Sequence, residues 1–503
     1  MKILLGTDIA LDIAKKGYLL DSITVLLKWI NLIGATCYID MPTIAILTHF
    51  IPFDSFKYLS FLKVFVEIKP KVQAIIELEK SVCNFKLNIV ECKPLFAQLN
   101  RLFYDADVLI TDNQITHNLA RLLQIDDKVF TTEEFVEKCS NEHREKDDAI
   151  GVAISKVKFG SLDLKDSFFN DFKRDYNPYY ETWFRKKSND EVYVALDKTN
   201  QLRGLLKLKL EDIKEDYSDI KPLFQPARRL KICSFKAHFT SQKLGQRFMR
   251  IVFETAMSYH VDEIYVTIFA NSIIKDRLIG MLEQWGFKLW GAKSCNFKSN
   301  DEEEKVYVRN FRKDITLQSS HCFPYHTSRN RVFLLPIYKS YASMLIPPIQ
   351  VIGEKEIDIE PVKQAIRKVV IVHNDNKELR EGSVLLFYQK SESMRNGHLL
   401  GVGIVEQVYR EFHNENQFIN RCKKRSTLLS SSLRECWLRA EQKPIVIDFL
   451  YAYYFKENIS GEDLIKVGIN ISDKHSQHLI PISPEKFHML INNTNYEKNF
   501  IVD

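Results

Sequence analysis

Residues 231–287 constrain the fold of this chain more than any other stretch. They open with Lys231-Ile-Cys-Ser-Phe-Lys-Ala237, cross a polar loop to Gly245, and continue through Gln246-Arg-Phe-Met-Arg-Ile-Val-Phe to Tyr259. Ile264-Tyr-Val-Thr-Ile-Phe269 and Leu278-Ile-Gly-Met-Leu-Glu-Gln-Trp-Gly286-Phe287 follow. Phe248, Ile251, Val252 and Ala256 recur at helical spacing, whereas Ile264, Val266 and Ile268 alternate as in a half-buried strand. The spacing predicts strand, glycine-bearing loop, amphipathic helix, strand and second helix. A glycine just ahead of a helix lets backbone N–H groups approach an anion at the positive end of the helix dipole, so the pattern outlines a phosphate cradle.

This order resembles the acetyl-CoA-binding core of the GCN5-related N-acetyltransferases, whose pyrophosphate loop runs Gln/Arg-x-x-Gly-x-Gly/Ala. Gly245 takes the place of the last loop glycine, with Lys243 at the first glycine and Thr240 at the Gln/Arg position. Leu282-Glu-Gln-Trp-Gly286-Phe287 stands where the family has Leu-Tyr-Glu-x-x-Gly-Phe, so Leu282, which has no proton to donate, occupies the position of the usual tyrosine acid. The resemblance implies acetyl-CoA as cofactor and an amine as acceptor. It places Ser234, Phe235, Lys236 and Ala237 along the thioester and Lys243, Leu244, Gly245, Gln246, Arg247 and Asn271 around CoA. Acetyl transfer needs a base for the amine and a donor for the carbonyl oxygen. Glu283, His238 or a water held near Tyr265 are the candidates for the base; backbone N–H groups of residues 234–237 are the candidates for the donor. On a plainer reading, His238 is an exposed loop histidine and Arg247 and Lys243 form a basic surface.

At 503 residues the chain exceeds a single core, and typical domain sizes predict about three domains. An apolar fraction of 45% with 27% charged residues is that of a globular protein, and a net charge of +6 permits an anionic partner without demanding one. Nine cysteines lie scattered without a Cys-x-x-Cys pair, which reads as reduced buried thiols in a cytoplasmic protein. No stretch approaches the roughly 20 apolar residues that span a bilayer, so no membrane association is expected.

In residues 1–145, strand-like runs at Lys2-Ile-Leu-Leu5, 36–39, 106–110 and 128–130 alternate with helical patterns, which predicts a parallel α/β sheet. The pattern resembles a PIN-type nuclease domain, which opens Leu-Asp-Thr-Asn and carries a later Thr-Glu-Asp. Here the motifs read Leu5-Gly6-Thr7-Asp8 and Thr111-Asp112-Asn113, so two family carboxylates are replaced. Hard divalent cations need converging carboxylate oxygens. Asp8 and Asp112, with Glu91, are the residual candidates for Mg²⁺ or Mn²⁺; the alternative is a PIN-like scaffold that holds no metal.

By the same resemblance, residues 146–315 would form the acetyltransferase unit, with Ser167-Phe-Phe-Asn-Asp-Phe and the following aromatic run on the acceptor side. Residues 316–360 read as a proline-marked connector. Residues 361–503 combine a basic helix over 362–368 with short glycine-kinked strands, the pattern of a small barrel. "Helix, Gly-x-Val-Leu-Leu-Phe-Tyr388, strand, Gly-Val-Gly" resembles the ASCH and EVE branch of PUA-like domains, which implies RNA as a partner. Arg367, Lys368, Lys423, Lys424 and Arg425 would then meet phosphates, and Tyr388 or Trp437 would stack on a base; otherwise they are basic loops and core aromatics.

The expected architecture is multidomain α/β and α+β: a PIN-like parallel sheet, a mixed acetyltransferase sheet with flanking helices, and a PUA-like β-barrel, an order found in bacterial fusion proteins. The leading functional expectation is an acetyl-CoA-dependent N-acetyltransferase linked to RNA. A non-catalytic RNA-binding scaffold and a residual metal-dependent RNase are the alternatives.

Overall fold

The computed structural model describes residues 1–16, 21–50, 59, 62–65, 89–143, 152–197, 200–238, 244–269, 273–294, 303–311, 319–347, 365–374, 376–391, 396–423, 425–426, 428, 430–439, 444–471, 478–492, 494, 496 and 500–502. Three sheets organise them.

The first holds β1 (Lys2–Leu5), β2 (Thr36–Ile39), β3 (Lys63–Val64), β4 (Val108–Ile110) and β5 (Val129–Phe130) in the order β3-β2-β1-β4-β5. Every pairing is parallel. Parallel strands need crossovers that cover both faces. The helices Thr7–Lys16, Asp21–Leu32 and Thr132–Glu142 supply part of that cover, and two apolar clusters pack on the sheet. Asn113 and Thr131 cap the helices that follow β4 and β5, Thr131 through a full capping box with Glu134.

The second sheet is eight-stranded and mixed. It contains β6 (Ala153–Lys158), β7 (Glu191–Leu196), β8 (Leu202–Glu211), β9 (Ile220–Lys221), β10 (Arg229–Ala237), β11 (Glu263–Ile268), β12 (Lys288–Lys293) and β13 (Glu304–Asn310), ordered β6-β7-β8-β10-β11-β13-β12-β9. The helix Leu244–Ser258 crosses from β10 to β11, which are parallel. Phe248, Ile251, Val252 and Ala256 are all buried, and they meet Ile264, Val266 and Ile268 in one core as the periodicity predicts. Gly204 of β8 lets this helix approach, because a Cβ there would lie 2.7 Å from Phe248.

The third sheet holds β14 (Val332–Ile337), β15 (Arg367–Val372), β16 (Val384–Gln389), β17 (His398–Tyr409), β18 (Ile445–Tyr454) and β19 (Ile480–Ile482), ordered β15-β18-β17-β16-β14-β19. Two expectations are corrected here. Val332–Ile337, read as connector, is an inner strand paired parallel to β16 and antiparallel to β19. The basic helix expected at the start of this unit falls partly on 362–364, outside the described residues, and Arg367 and Lys368 open strand β15 instead. Among the described residues β15 and β19 stand at opposite ends of the ladder, so the expected barrel is described as a six-stranded mixed sheet.

The units are packed together. Ile366, Ile404, Leu450 and Ala452 of the third share a core with the helix Leu244–Ser258 of the second. The first and third meet through Arg421 with Asp126, Lys423 with Glu142, and Gln417 Nε2 donating to the Gln124 carbonyl at 3.1 Å. No helix among the described residues is long and apolar enough to cross a membrane. Cys37 and Cys139 are buried, and burial pushes both thiols up to about 12, which removes them from thiolate chemistry at neutral pH.

Candidate functional site

β10 pairs with β8 along its length, from Arg229↔Glu211 to Ala237↔Gly204. With β11 it pairs only from Arg229↔Glu263 to Ile232↔Val266, although β11 runs on to Ile268. A bulge in the β8 ladder between Ile232 and Ser234 falls where the β11 pairing ends. Bulges add bend and twist, which accounts for two parallel strands parting at that point. Residues 233–237 therefore edge an open wedge. Successive residues of an antiparallel strand direct their N–H and C=O groups alternately to either side, so alternate backbone groups in this run aim away from β8 and into the wedge.

The wedge opens into a cleft of about 1830 Å³ that runs along all three units, from Asp8 and Asp112 to Arg367 and Glu406; Ser234, Phe235, Lys236, Ala237, His238, Leu244, Gly245 and Gln246 line the part beside the wedge. The helix Leu244–Ser258 starts at its rim. Its first turn carries no acidic side chain, so the positive dipole end is not neutralised locally. A Cβ on Gly245 would lie 3.1 Å from Met281 Sδ. Gln246 Oε1 is buried and, among the described residues, has no hydrogen-bond partner.

Most of the expected cofactor residues thus meet in one place. Arg247 does not join them: its guanidinium is buried and Nη1 donates to the Val152 carbonyl at 2.9 Å, so it ties the helix to the strand β6 side instead of reaching a phosphate. Lys243 and Asn271 lie outside the described residues, as does Thr240. Lys236 Nζ is held by the Phe168 carbonyl at 2.6 Å and Asp171 at 3.0 Å. His238 is half-buried, its N–H donates to the Arg203 carbonyl at 2.7 Å, and its ring lies 5.0 Å from Phe168. Glu283 is exposed in the last turn of the helix Ile273–Gln284. Leu282 is buried in the core.

The sequence reading missed a polar group near the end of β11. Glu304, the first residue of β13, is buried and lines the cleft. Its Oε1 accepts hydrogen bonds from Tyr176 Oη and from Thr267 Oγ1, the latter at 2.9 Å. The Tyr176 ring lies 5.2 Å from Phe269. Beside them Lys275 Nζ pairs with Asp175 at 2.6 Å. Sequence separation hid this cluster, because Tyr176, Thr267 and Glu304 come together only when β13 docks against β11.

At the C-terminal ends of the inner strands β1 and β4, Asp8 Oδ1 accepts from Thr111 Oγ1 at 2.8 Å and Oδ2 from the Asp112 N–H at 2.6 Å. Asp112 accepts from the N–H and hydroxyl of Thr132 at 2.8 and 2.9 Å. Both carboxylates tie loops together. Among the described residues no three His, Cys, Asp or Glu side chains converge as metal ligands; the Glu91 side chain is not among those described. Burial, and next the Asp112 charge, push the Asp8 carboxyl from 3.8 up to about 6, against the hydrogen bonds that pull it down. The folded state then holds this proton more tightly than the unfolded chain, so the Asp8 contribution to stability falls as pH rises through about 4 to 6. An Asp8→Asn variant is expected to lose this limb, seen as a shrinking midpoint difference from wild type toward low pH in urea denaturation.

The residues expected to meet RNA are largely committed to the fold. Arg367 pairs with Glu406 at 3.0 Å, Arg425 with Glu406 and Asp448 at 2.8 Å each, and Lys423 with Glu142. Lys368 is buried with Nζ 5.1 Å from the centre of the Tyr451 ring. Tyr388 is fully buried, which leaves no ring face for a base, and Trp437 packs on Phe418 at 5.4 Å. Lys424 lies outside the described residues. The physical reason is burial: a cation taken out of water needs a carboxylate partner. Burial raises the Glu406 carboxyl, but Arg367 and Arg425 outweigh it and hold it at about 2, below its ordinary 4.5. Its stabilisation is complete above the ordinary value and is lost as pH falls toward about 2. Acid unfolding of Glu406→Gln protein is expected to lack this component, measured as the denaturation midpoint against pH.

No protein-family profile and no curated protein sequence matches the chain. Among solved structures, it is similar to Arabidopsis thaliana NAA60 in complex with acetyl-CoA, at 16% identity over 31% of this chain and 98% of that one, with a TM-score of 0.24. An IAA acetyltransferase from Bacillus cereus is similar at 13% identity over 31% of this chain and 98% of its own, with a TM-score of 0.23. A ZmASCH variant from Zymomonas mobilis is similar at 11% identity over 32% of this chain and 94% of its own, with a TM-score of 0.24.

Proposed function

We propose that this chain is an acyl-CoA-dependent N-acyltransferase that moves an acetyl group from acetyl-CoA to a primary amine. The observation that carries the reading is the parting of β10 from β11 beyond Ile232 and Val266, at the rim of a glycine-led helix start. Two parted strands offer backbone donors and acceptors to an extended amide-containing arm, as an added strand would. The helix start, with no carboxylate of its own, suits the pyrophosphate. Gly245 fits this placement, since it leaves room for a phosphate to approach.

Acetyl-CoA, when bound, supplies an activated thioester. The chain then has three tasks. Backbone N–H groups among residues 234–237 that aim into the wedge stabilise the developing oxyanion. Phe235 packs against Phe248 at 5.7 Å and holds that strand on the helix. The face bearing Lys236, Tyr176, Thr267 and Glu304 receives the amine. In this reading the first sheet is a PIN-like scaffold whose Asp8 and Asp112 secure its loops, and the third sheet is an ASCH-like unit locked onto both neighbours.

Isothermal titration of acetyl-CoA into the full chain tests the reading. Heat of binding at about 1:1 stoichiometry is expected, and its absence would sink the acyltransferase assignment.

A further inference from the structure

We propose that Glu304 is the base that takes the proton from the acceptor amine, with Tyr176 and Thr267 as positioning residues. The inference rests on the acyltransferase reading and assigns the base that reading requires. β11 pairs with β13 from Glu263↔Asn310 to Ile268↔Lys305, so Glu304 stands one residue past the end of that ladder, beside the mouth of the wedge. Ile264, Val266 and Ile268 face the core beneath the helix Leu244–Ser258, while Thr267 faces the other way and meets Glu304. Lys236 of β10 projects to the same side as Glu304, toward Phe168 and Asp171. The carboxylate therefore sits on the acceptor side of the wedge.

Two hydroxyls on one oxygen fix the direction of the group. Tyr176 comes from the segment between the helices Asn170–Asp175 and Tyr179–Lys186, and Thr267 from β11, so the carboxylate is held from two sides. Glu283 and His238 have no comparable setting: the first is exposed, and the second is directed at Phe168.

The step balances as follows. The ammonium form of the acceptor gives one proton to Glu304. The free amine attacks the thioester carbonyl, forming the C–N bond, and collapse breaks the C–S bond. The second nitrogen proton leaves with the thiolate as the CoA thiol, and Glu304 returns its proton to solvent. No oxidant or further reactant is required.

The test uses the full chain, acetyl-CoA and n-butylamine as acceptor, with CoA thiol release followed against pH. Glu304→Gln keeps an oxygen that accepts from Tyr176 and Thr267, so folding and acetyl-CoA affinity by calorimetry are expected to match wild type. Its amine-dependent release at neutral pH is expected to fall by about 100-fold or more, the usual range for a general base. The deficit is expected to shrink toward pH of about 10, where an alkylamine is already deprotonated. Glu304→Asp is expected to recover part of the rate. Tyr176→Phe is expected to lose less than Glu304→Gln, and its smaller deficit is expected to shrink over the same pH range, because the residue acts through Glu304. Wild-type rates in Glu304→Gln protein, a deficit constant with pH, or wild-type protein that binds acetyl-CoA without amine-dependent release would each overturn the role of Glu304. Failure of wild-type protein to bind acetyl-CoA would overturn the acyltransferase reading itself, and the role with it.

Discussion

Acetyl-CoA titrated into Gly245→Trp protein is expected to give no measurable heat, a loss of at least ~100-fold in affinity or about 2.7 kcal/mol. Gly245 lies at the start of the helix whose dipole end faces the cleft, and the space over its Cα is bounded by Met281 Sδ. An indole placed there fills the volume in which a phosphate would approach the helix N–H groups. Gly245→Ala separates this effect from a folding defect. Its methyl would meet only a thioether 3.1 Å away, a flexible neighbour that yields at small cost. Alanine protein is therefore expected to bind within a few-fold of wild type, and both variants are expected to melt near the wild-type temperature. Wild-type affinity in the tryptophan variant would remove the helix start from the binding site.

The second large effect concerns the joint between the first and third units. Arg421 and Asp126 are both nearly inaccessible and form an ion pair, while the Arg421 guanidinium also lies 3.9 Å from the centre of the Tyr409 ring. Burial disfavours the charge on Arg421, but Tyr409, Asp126 and Asp448 more than compensate and raise its pKa. Replacing Arg421 by methionine keeps much of the packing and takes a buried cation away from the Asp126 carboxylate. Breaking one half of a buried pair typically costs about 3–5 kcal/mol. The expected result is a clear drop in the urea midpoint of Arg421→Met protein. The double variant with Asp126→Asn is expected to recover most of the loss, since removing both charges is far cheaper than removing one. Equal destabilisation in single and double variants would show that packing, not charge, holds the joint.

Arg421 itself drew no notice in the sequence. The neighbouring Lys423 and Arg425 did draw notice, as RNA contacts, and both are engaged with carboxylates. A basic cluster in sequence reports charge, not accessibility, and only the docking of one unit on another distinguishes a nucleic-acid surface from an internal ion network.

The sequence by itself determined the elements and their kind. Alternation at Ile264, Val266 and Ile268 and helical spacing from Phe248 to Ala256 both specify local structure, because side-chain period and backbone period must agree for a face to be buried. That residues 234–238 and 244–246 line one cleft was legible for a related reason: they flank a single strand-to-helix connection. Tertiary structure alone decided the rest. It set the point at which β10 leaves β11, turned Arg247 inward to Val152, and drew Val332–Ile337 into the third sheet. It also gathered Tyr176, Thr267 and Glu304 from three separate elements, with Tyr176 and Glu304 128 residues apart. Such groups leave no periodic trace, because what unites them is strand register and long-range packing, and neither is encoded within a window of neighbouring residues.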